Sequence, residues 1–263
     1  MSTLGADAFR LDGKFAVVTG AAQGLGAAIA IAFAEYGADL AICDRNVEGM
    51  ERTAETIRGL GRTVTTRELD VRSIEGVNDW IGSMGTIDVL VNNAGGGFHS
   101  HFEKVNDKGQ KALVDENFTS VTSCIRAALD HFSESASIIN VTTVEAFRGS
   151  PGFAVYGAMK AAVEHLSRTL ALELSPRGIR VNTIAPDGMD THGEEGLMAA
   201  VGATEHYREQ LALGAGTAAD AAGPAVFLAS SASKYVTGVT INVDGGSDAA
   251  RGWRKQPDGS WLP

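Results

Sequence analysis

Phe15-Ala16-Val17-Val18-Thr19-Gly20-Ala21-Ala22-Gln23-Gly24-Leu25-Gly26 decides the fold. Phe15 to Thr19 is a short, continuous apolar run, the pattern of a strand buried on both faces. Gly24 to Tyr36 then reads as an apolar helix. Between the two lie glycines that permit a tight turn and let backbone amides approach an anion. The helix N-terminus adds a dipole that favours negative charge. A glycine-rich turn alone is a weak motif. Its place between a strand and a helix makes it a strong one, and the amides of Gly20 and of Gln23 to Gly26 become candidates to cradle a pyrophosphate.

Working outward, strand-like and helical runs alternate. Asp39 to Cys43, Thr63 to Leu69, Ile87 to Val91, Ser137 to Val141, Ile179 to Thr183 and Thr240 to Val243 read as strands. Val47 to Leu60, about Asp107 to His131, and Ala154 to Leu174 read as helices. Near-continuous Val/Ile runs separated by helices predict an α/β fold: one doubly wound parallel sheet of about seven strands, Rossmann-like, with helices on both faces. Its crossovers are expected to be right-handed. No composition break divides the chain, so residues 1–263 are expected to form one domain. Two stretches read as irregular: Pro186 to about Leu213, with 187–213 expected to be a substrate lid, and a C-terminal tail, 247–263, that carries Trp253 and Trp261.

The totals narrow the possible functions. The chain has 263 residues, 44% of them hydrophobic and 21% charged, with a formal net charge of −10. That charge argues against nucleic acid or an anionic membrane surface as a partner, since both call for basic patches. No apolar run reaches the roughly 18 residues of a membrane span. Met1 to Arg10 show no signal-peptide pattern, and Cys43 and Cys124 read as reduced core residues, so a cytoplasmic location is expected.

Further residues carry chemistry. Asp44 ends the second strand, where a carboxylate accepts hydrogen bonds from both hydroxyls of an adenosine ribose and repels a 2′-phosphate. That favours NAD over NADP. Arg45 beside it either softens this preference or is a solvated charge. Asp70-Val71 ends the third strand, where a side chain can meet the adenine amine. Asp70 also has the character of a helix N-cap, and the two uses are compatible. Tyr156-Gly157-Ala158-Met159-Lys160 places a phenol and an ammonium at i and i+4 on one helix face. A phenol, with pKa about 10, is a poor base at neutral pH. A nearby positive charge favours the phenolate and equips it to exchange a proton with an alcohol oxygen.

These residues, with Asn92-Asn93-Ala94-Gly95, make the chain resemble the short-chain dehydrogenase/reductase family, in its single-domain branch with the Thr-Gly-x-x-x-Gly-x-Gly turn. The resemblance runs from about Leu11 to Gly246. It implies that Asn93, Ala94 and Gly95 support the sheet and flank the adenosine ribose. It implies that Asn117 holds a water in a proton relay, that Tyr156 is the catalytic acid/base, and that Lys160 tunes it and binds the nicotinamide ribose. Two positions depart from the family pattern. Thr143 stands where the family usually has serine. Threonine supplies the same hydroxyl to a substrate oxygen, and strand alternation sends Thr142 and Thr143 to opposite faces. The other reading of Thr143 is a plain strand former in an impaired enzyme. After the sixth strand the family reads Pro-Gly-x-x-x-Thr, where this chain reads Pro186-Asp187-Gly188-Met189-Asp190-Thr191. Pro186, Met189 and Thr191 are expected at the nicotinamide carboxamide. Asp187 is either an exposed acid or a group facing the substrate.

The site expected is therefore Asn117, Thr143, Tyr156 and Lys160, serving hydride transfer between NAD and a secondary alcohol or ketone. Glu145, Phe147, Phe153 and Met198 are candidate substrate contacts. The mixture is mostly apolar, as in small-molecule pockets, and acids in the lid argue for a neutral substrate. His99 and His101 lack the carboxylate or cysteine companions of a metal site, so no metal is expected. The resemblance also implies a homotetramer, in which the tail tryptophans either cross to a neighbour or fold back on their own subunit. Two other readings stand beside this one. A cofactor-binding regulator of the same fold would keep the glycine turn and Asp44 but lose the catalytic set. A sugar-nucleotide epimerase or dehydratase would need a larger C-terminal part.

Overall fold

The computed structural model describes residues 5–191, 211–251, 254–256 and 258–262. Seven parallel strands form one sheet in the order β3-β2-β1-β4-β5-β6-β9. Their bounds are β1 Phe15–Thr19, β2 Asp39–Asp44, β3 Val64–Glu68, β4 Ile87–Asn92, β5 Phe132–Val141, β6 Arg180–Pro186 and β9 Thr240–Val243. Two small pairs are separate: β7 Met189–Asp190 with β8 Gly216–Thr217, and β10 Arg254–Lys255 with β11 Trp261–Leu262. The helices are α1 Gly24–Glu35, α2 Val47–Gly59, α3 Ile74–Gly82, α4 Asp107–Val114, α5 Ser120–Ala128, α6 Ala154–Glu173, α7 Ala218–Ala229 and α8 Ser247–Ala250. This is the Rossmann-like α/β fold that the sequence pattern predicts.

Alternation explains why the strands read as unbroken apolar runs. Ala16 and Val18 enter a core with Ile29 and Phe33 of α1 and Val226 of α7. Val17 between them enters a second core with Val77 of α3, Ile125 of α5 and Val163 of α6. Both faces of the sheet are covered, so neither can be polar. Ligands of such folds bind outside the carboxyl ends of the strands, where the order reverses. Here that point lies between β1 and β4, whose central residues Val17 and Leu90 pair.

Local signals set the ends of most elements. Asn46 caps α2 by accepting from Gly49 N at 3.0 Å. Ser73 caps α3 by accepting from Gly76 N at 3.1 Å, so the N-cap expected at Asp70 lies three residues further on. Three other expectations are corrected. The single helix from Asp107 to His131 is instead α4, a π-helical turn at Asp115–Thr119, and α5 ending at Ala128. Strand β5 begins at Phe132, five residues before the apolar run, because Phe132 pairs with Ile87 across β4. The tail is not wholly irregular: it forms α8 and the backbone pair β10–β11. Trp253 lies outside the described residues.

The start of the expected lid pairs with residues just beyond its end, Met189 with Gly216 and Asp190 with Thr217. Residues 192–210 between them, including Met198, lie outside the described residues. Cys43 and Cys124 are buried free thiols. Among the described residues no helix is long and apolar enough to cross a membrane.

Candidate active site

The glycine turn is held in shape from β4. Asn93 Nδ2 donates to Thr19 O and Gly20 O, each at 3.0 Å. Thr19 Oγ1 accepts from the amides of Asn93 and Ala94 at 3.1 and 3.0 Å. A Cβ on Gly26 would stand 2.1 Å from Gly20 O, so only glycine lets α1 start this close to the turn. Gly24 has φ +57° and opens to space, with Thr191 side-chain atoms 3.8 Å from the position of a Cβ. Thr191 therefore lies across the turn from Gly24, although the two are far apart in sequence. The N-cap residue Gln23 makes no side-chain capping bond, so the first amides of α1 are left for an anion.

Of the other expected cofactor residues, Asp44 lies against the glycine turn. Asp44 is oriented by Ala22 N at 3.0 Å and Asn46 N at 2.9 Å, which fixes its carboxylate beside the turn. Arg45 pairs with Glu116 at 3.2 Å, and its side chain is more than half exposed. Asp70 is paired with Arg72 at 2.5 Å, whose hydrogen bonds hold its carboxyl below the usual range. Val71 is buried beside it, and Met189 is buried at β7. The open turn, the free helix terminus and the fixed carboxylate fit the pyrophosphate and ribose of a nicotinamide dinucleotide.

Tyr156 and Lys160 share one face of α6. Lys160 is buried, donates from Nζ to Val141 O at 2.9 Å, and sits 5.8 Å from the centroid of the Tyr156 ring. Burial lowers the Lys160 ammonium to about 8. A Cβ on Gly95 would stand 2.9 Å from Asn117 Oδ1 and 3.1 Å from Lys160 Nζ, so glycine here lets both side chains close in. Asn117 is fully buried. It donates to Gly96 O at 2.8 Å and Leu113 O at 3.0 Å, and accepts from Gly96 N at 3.2 Å. Both amide hydrogens are thereby spent on the backbone. The π-helical turn that carries Asn117 is a feature often found at functional sites.

The two threonines after β5 part as alternation requires. Thr142 Oγ1 donates to Ile184 O at 3.2 Å. Thr143 Oγ1 accepts from Glu145 N at 3.3 Å, which leaves its own hydrogen to donate. Phe153 stacks edge-on between His99 and Tyr156, at ring-centroid distances of 5.4 and 6.4 Å. Phe147 is partly exposed. Glu145 faces Arg148 at 3.2 Å and packs its backbone against Gly157 of α6. Asp187 is neither exposed nor free: its side chain is 8% accessible and pairs with Arg148 at 2.8 Å.

Residues that sequence reasoning passed over support this arrangement. Asn92 Nδ2 donates to Asn140 Oδ1 at 2.8 Å, and Asn140 Nδ2 donates to Ser167 Oγ at 2.9 Å. This buried polar chain ties β4 and β5 to α6. Its signal was present, since an asparagine at the end of an apolar strand asks for a buried partner. Arg148 and Ser247 gave no comparable signal, because their partners are distant in sequence.

Fold and cleft define a dinucleotide-dependent oxidoreductase, and comparison with known proteins agrees. The sequence model of the family described as Enoyl-(Acyl carrier protein) reductase matches residues 20–248. An uncharacterized oxidoreductase of Mycobacterium tuberculosis, MT0954, is 37% identical over 253 residues, covering 91% of this chain and 94% of the relative. The 2-dehydro-3-deoxy-D-gluconate 5-dehydrogenase of Escherichia coli is 36% identical over 247 residues, covering 91% and 97%. The crystal structure of carveol dehydrogenase from Mycobacterium avium in complex with NAD superposes with a TM-score of 0.84 at 29% identity, covering 90% and 98%. The chain belongs to the short-chain dehydrogenase/reductase family and is an NAD(P)-dependent dehydrogenase/reductase.

Proposed function

We propose that the protein uses NAD to interconvert a secondary alcohol and a ketone on a small, neutral substrate. The observation that carries this is the Tyr156–Lys160 pair, with the buried ammonium 5.8 Å from the phenol ring and the Thr143 hydroxyl at the end of the adjoining strand. When bound, the nicotinamide supplies or takes the hydride. Thr143 donates to the substrate oxygen and orients it. Tyr156 takes the alcohol proton during oxidation and returns it during reduction. Lys160 favours the phenolate. Asn117 holds Gly96 and shapes the floor of the cleft, leaving a relay water to its main chain. Absorbance of NADH during a screen of alcohols and ketones tests the reading, and a panel with no turnover counts against it.

The preference for NAD rests on Asp44, whose carboxylate is fixed where an adenosine ribose would lie. NAD+ is expected to bind at least about tenfold more tightly than NADP+. Asp44→Ala shrinks that gap mainly by weakening NAD+. Equal affinity of the unmodified protein for both nucleotides would overturn the assignment.

Lys160 adds a pH dependence. Its ammonium falls from an ordinary 10.5 to about 8 through burial. The charged form, which serves the ribose and the phenol, is present below that pH and lost above it. NADH affinity is therefore expected to decline as pH rises through about 8. Lys160→Met should bind weakly and show no such step; a step retained in this variant assigns the titration to another group.

The same reading places the protein in the cytoplasm as a homotetramer, and sedimentation measures the assembly.

A further inference from the structure

Asp187 stands where the family pattern has glycine, and its surroundings give it a task. Its carboxylate accepts from Arg148 Nη2 at 2.8 Å and from the Ser247 hydroxyl. The same arginine nitrogen reaches Glu145 Oε1 at 3.2 Å. The Asp187 amide donates to Val243 O at 3.1 Å. Three segments distant in sequence meet here: the loop after β5, the end of β6 and the start of α8. Glu145 Oε2 is buried with no hydrogen-bond partner. A buried carboxylate oxygen left in that state calls for an explanation, and the hold of the other oxygen on Arg148 supplies one.

Each segment carries part of the cleft. The loop after β5 begins at Thr143. Beyond Asp187 the chain runs through Met189, paired to Gly216, to Thr191, which faces the glycine turn. The ion pair therefore ties the loop that begins at Thr143 to the segment that leads on to Met189 and Thr191. We infer that Arg148 and Asp187 form a polar latch, and that Asp187 is a positioning residue setting the width between Thr143 and the Met189–Thr191 segment. The inference rests on the NAD-dependent reading above. The latch also sets local charge. With it intact, one guanidinium opposes the carboxylates of Glu145 and Asp187. Without Arg148 the positive charge that both carboxylates share is lost, which favours the cationic oxidised nicotinamide over the neutral reduced one.

Binding rather than turnover gives the test, since the substrate is not needed. NADH is titrated by fluorescence and NAD+ by competition, on the unmodified protein and a double-mutant cycle, with melting temperature recorded for each. Unmodified protein that binds no NADH would sink the NAD reading and the latch with it; binding leaves the latch to be judged by the variants. Arg148→Met is expected to weaken NADH at least about tenfold, because a buried carboxylate loses its arginine. NAD+ should weaken less, so the ratio of the two Kd values moves toward NAD+ by at least about threefold. Arg148→Lys keeps the charge and recovers most of the loss. The double variant Arg148→Met/Asp187→Gly removes the acid together with its arginine and recovers to within about threefold of the unmodified protein. The latch is overturned if Arg148→Met binds both nucleotides normally, or if the double variant shows the product of the two single losses. An equal loss for NADH and NAD+ that tracks a lowered melting temperature also overturns it, assigning Arg148 to stability alone. If Arg148→Met does not fold, Arg148→Gln replaces it and Asp187→Asn replaces Asp187→Gly in the same cycle, judged by the same coupling.

Discussion

Tyr156→Phe is expected to lower turnover by about 10³-fold while NADH affinity stays within about threefold. The substitution removes one oxygen and keeps the ring, so the contacts of that ring with Phe153 survive. What is lost is the group proposed to exchange a proton with the substrate oxygen. Lys160 cannot replace it, because its Nζ is buried and engaged with Val141 O. The melting temperature should move little, since Tyr156 is only partly buried. Steady-state kinetics on any substrate found in the screen, with a fluorescence titration of NADH, separates these effects. Phenylalanine at 156 with near-normal turnover would transfer the acid/base role to another residue. A variant that binds no NADH would show that the phenol serves the cofactor instead.

Thr143→Val should lower turnover by about 10²-fold, the scale found when one donor to a developing oxyanion is removed. Valine keeps the branched shape and deletes the hydroxyl. Thr143→Ser should stay active. The neighbouring threonine provides the contrast. Thr142 Oγ1 is buried and donates to Ile184 O across to β6. Its loss removes one of the two hydrogen bonds that Ile184 O accepts and keeps the other, from Thr142 N at 2.8 Å, so Thr142→Val is expected to cost about 1 kcal/mol of stability and little turnover. Urea unfolding beside kinetics on the same two proteins gives the answer. The opposite outcome, a turnover defect at 142 and a stability defect at 143, would shift the site by one residue.

Much of the fold was legible because its cause is local. Val17 and Val18 enter opposite cores, so both had to be apolar, and the run that results is visible in any reading of the chain. The glycine turn was legible for a different reason. The Cβ of any other residue at 26 would collide with Gly20 O, and that constraint appears directly as a residue type. Boundaries governed by tertiary pairing were not legible. Phe132 to Ser135 carry no strand pattern, and the strand starts early because Phe132 pairs with Ile87. The π-helical turn at Asn117 is equally hidden, since its side chain bonds Gly96 in a loop 21 positions away.

The site divides along the same line. Tyr156 and Lys160 are one helical turn apart, so their proximity follows from helix geometry once α6 is recognised. Thr143 and Asp44 could be placed because each ends a strand of known direction. Asp187 could not be placed. By sequence it was an unexplained acid in a position where glycine is usual, and the reading of it as an exposed acid is overturned by its burial against Arg148. Only the folded chain brings Arg148 and Ser247 to it from two other segments. Spacing along the sequence thus determined the sheet, the glycine turn, the place of Asp44 at the end of β2 and the Tyr–Lys pair, because helix pitch and strand alternation turn short spacings into directions. The tertiary structure alone decided the Arg148–Asp187–Ser247 cluster, the face-to-face approach of Thr191 and Gly24, and the burial that lowers Lys160. These depend on crossover connections and on desolvation, neither of which is encoded in local spacing.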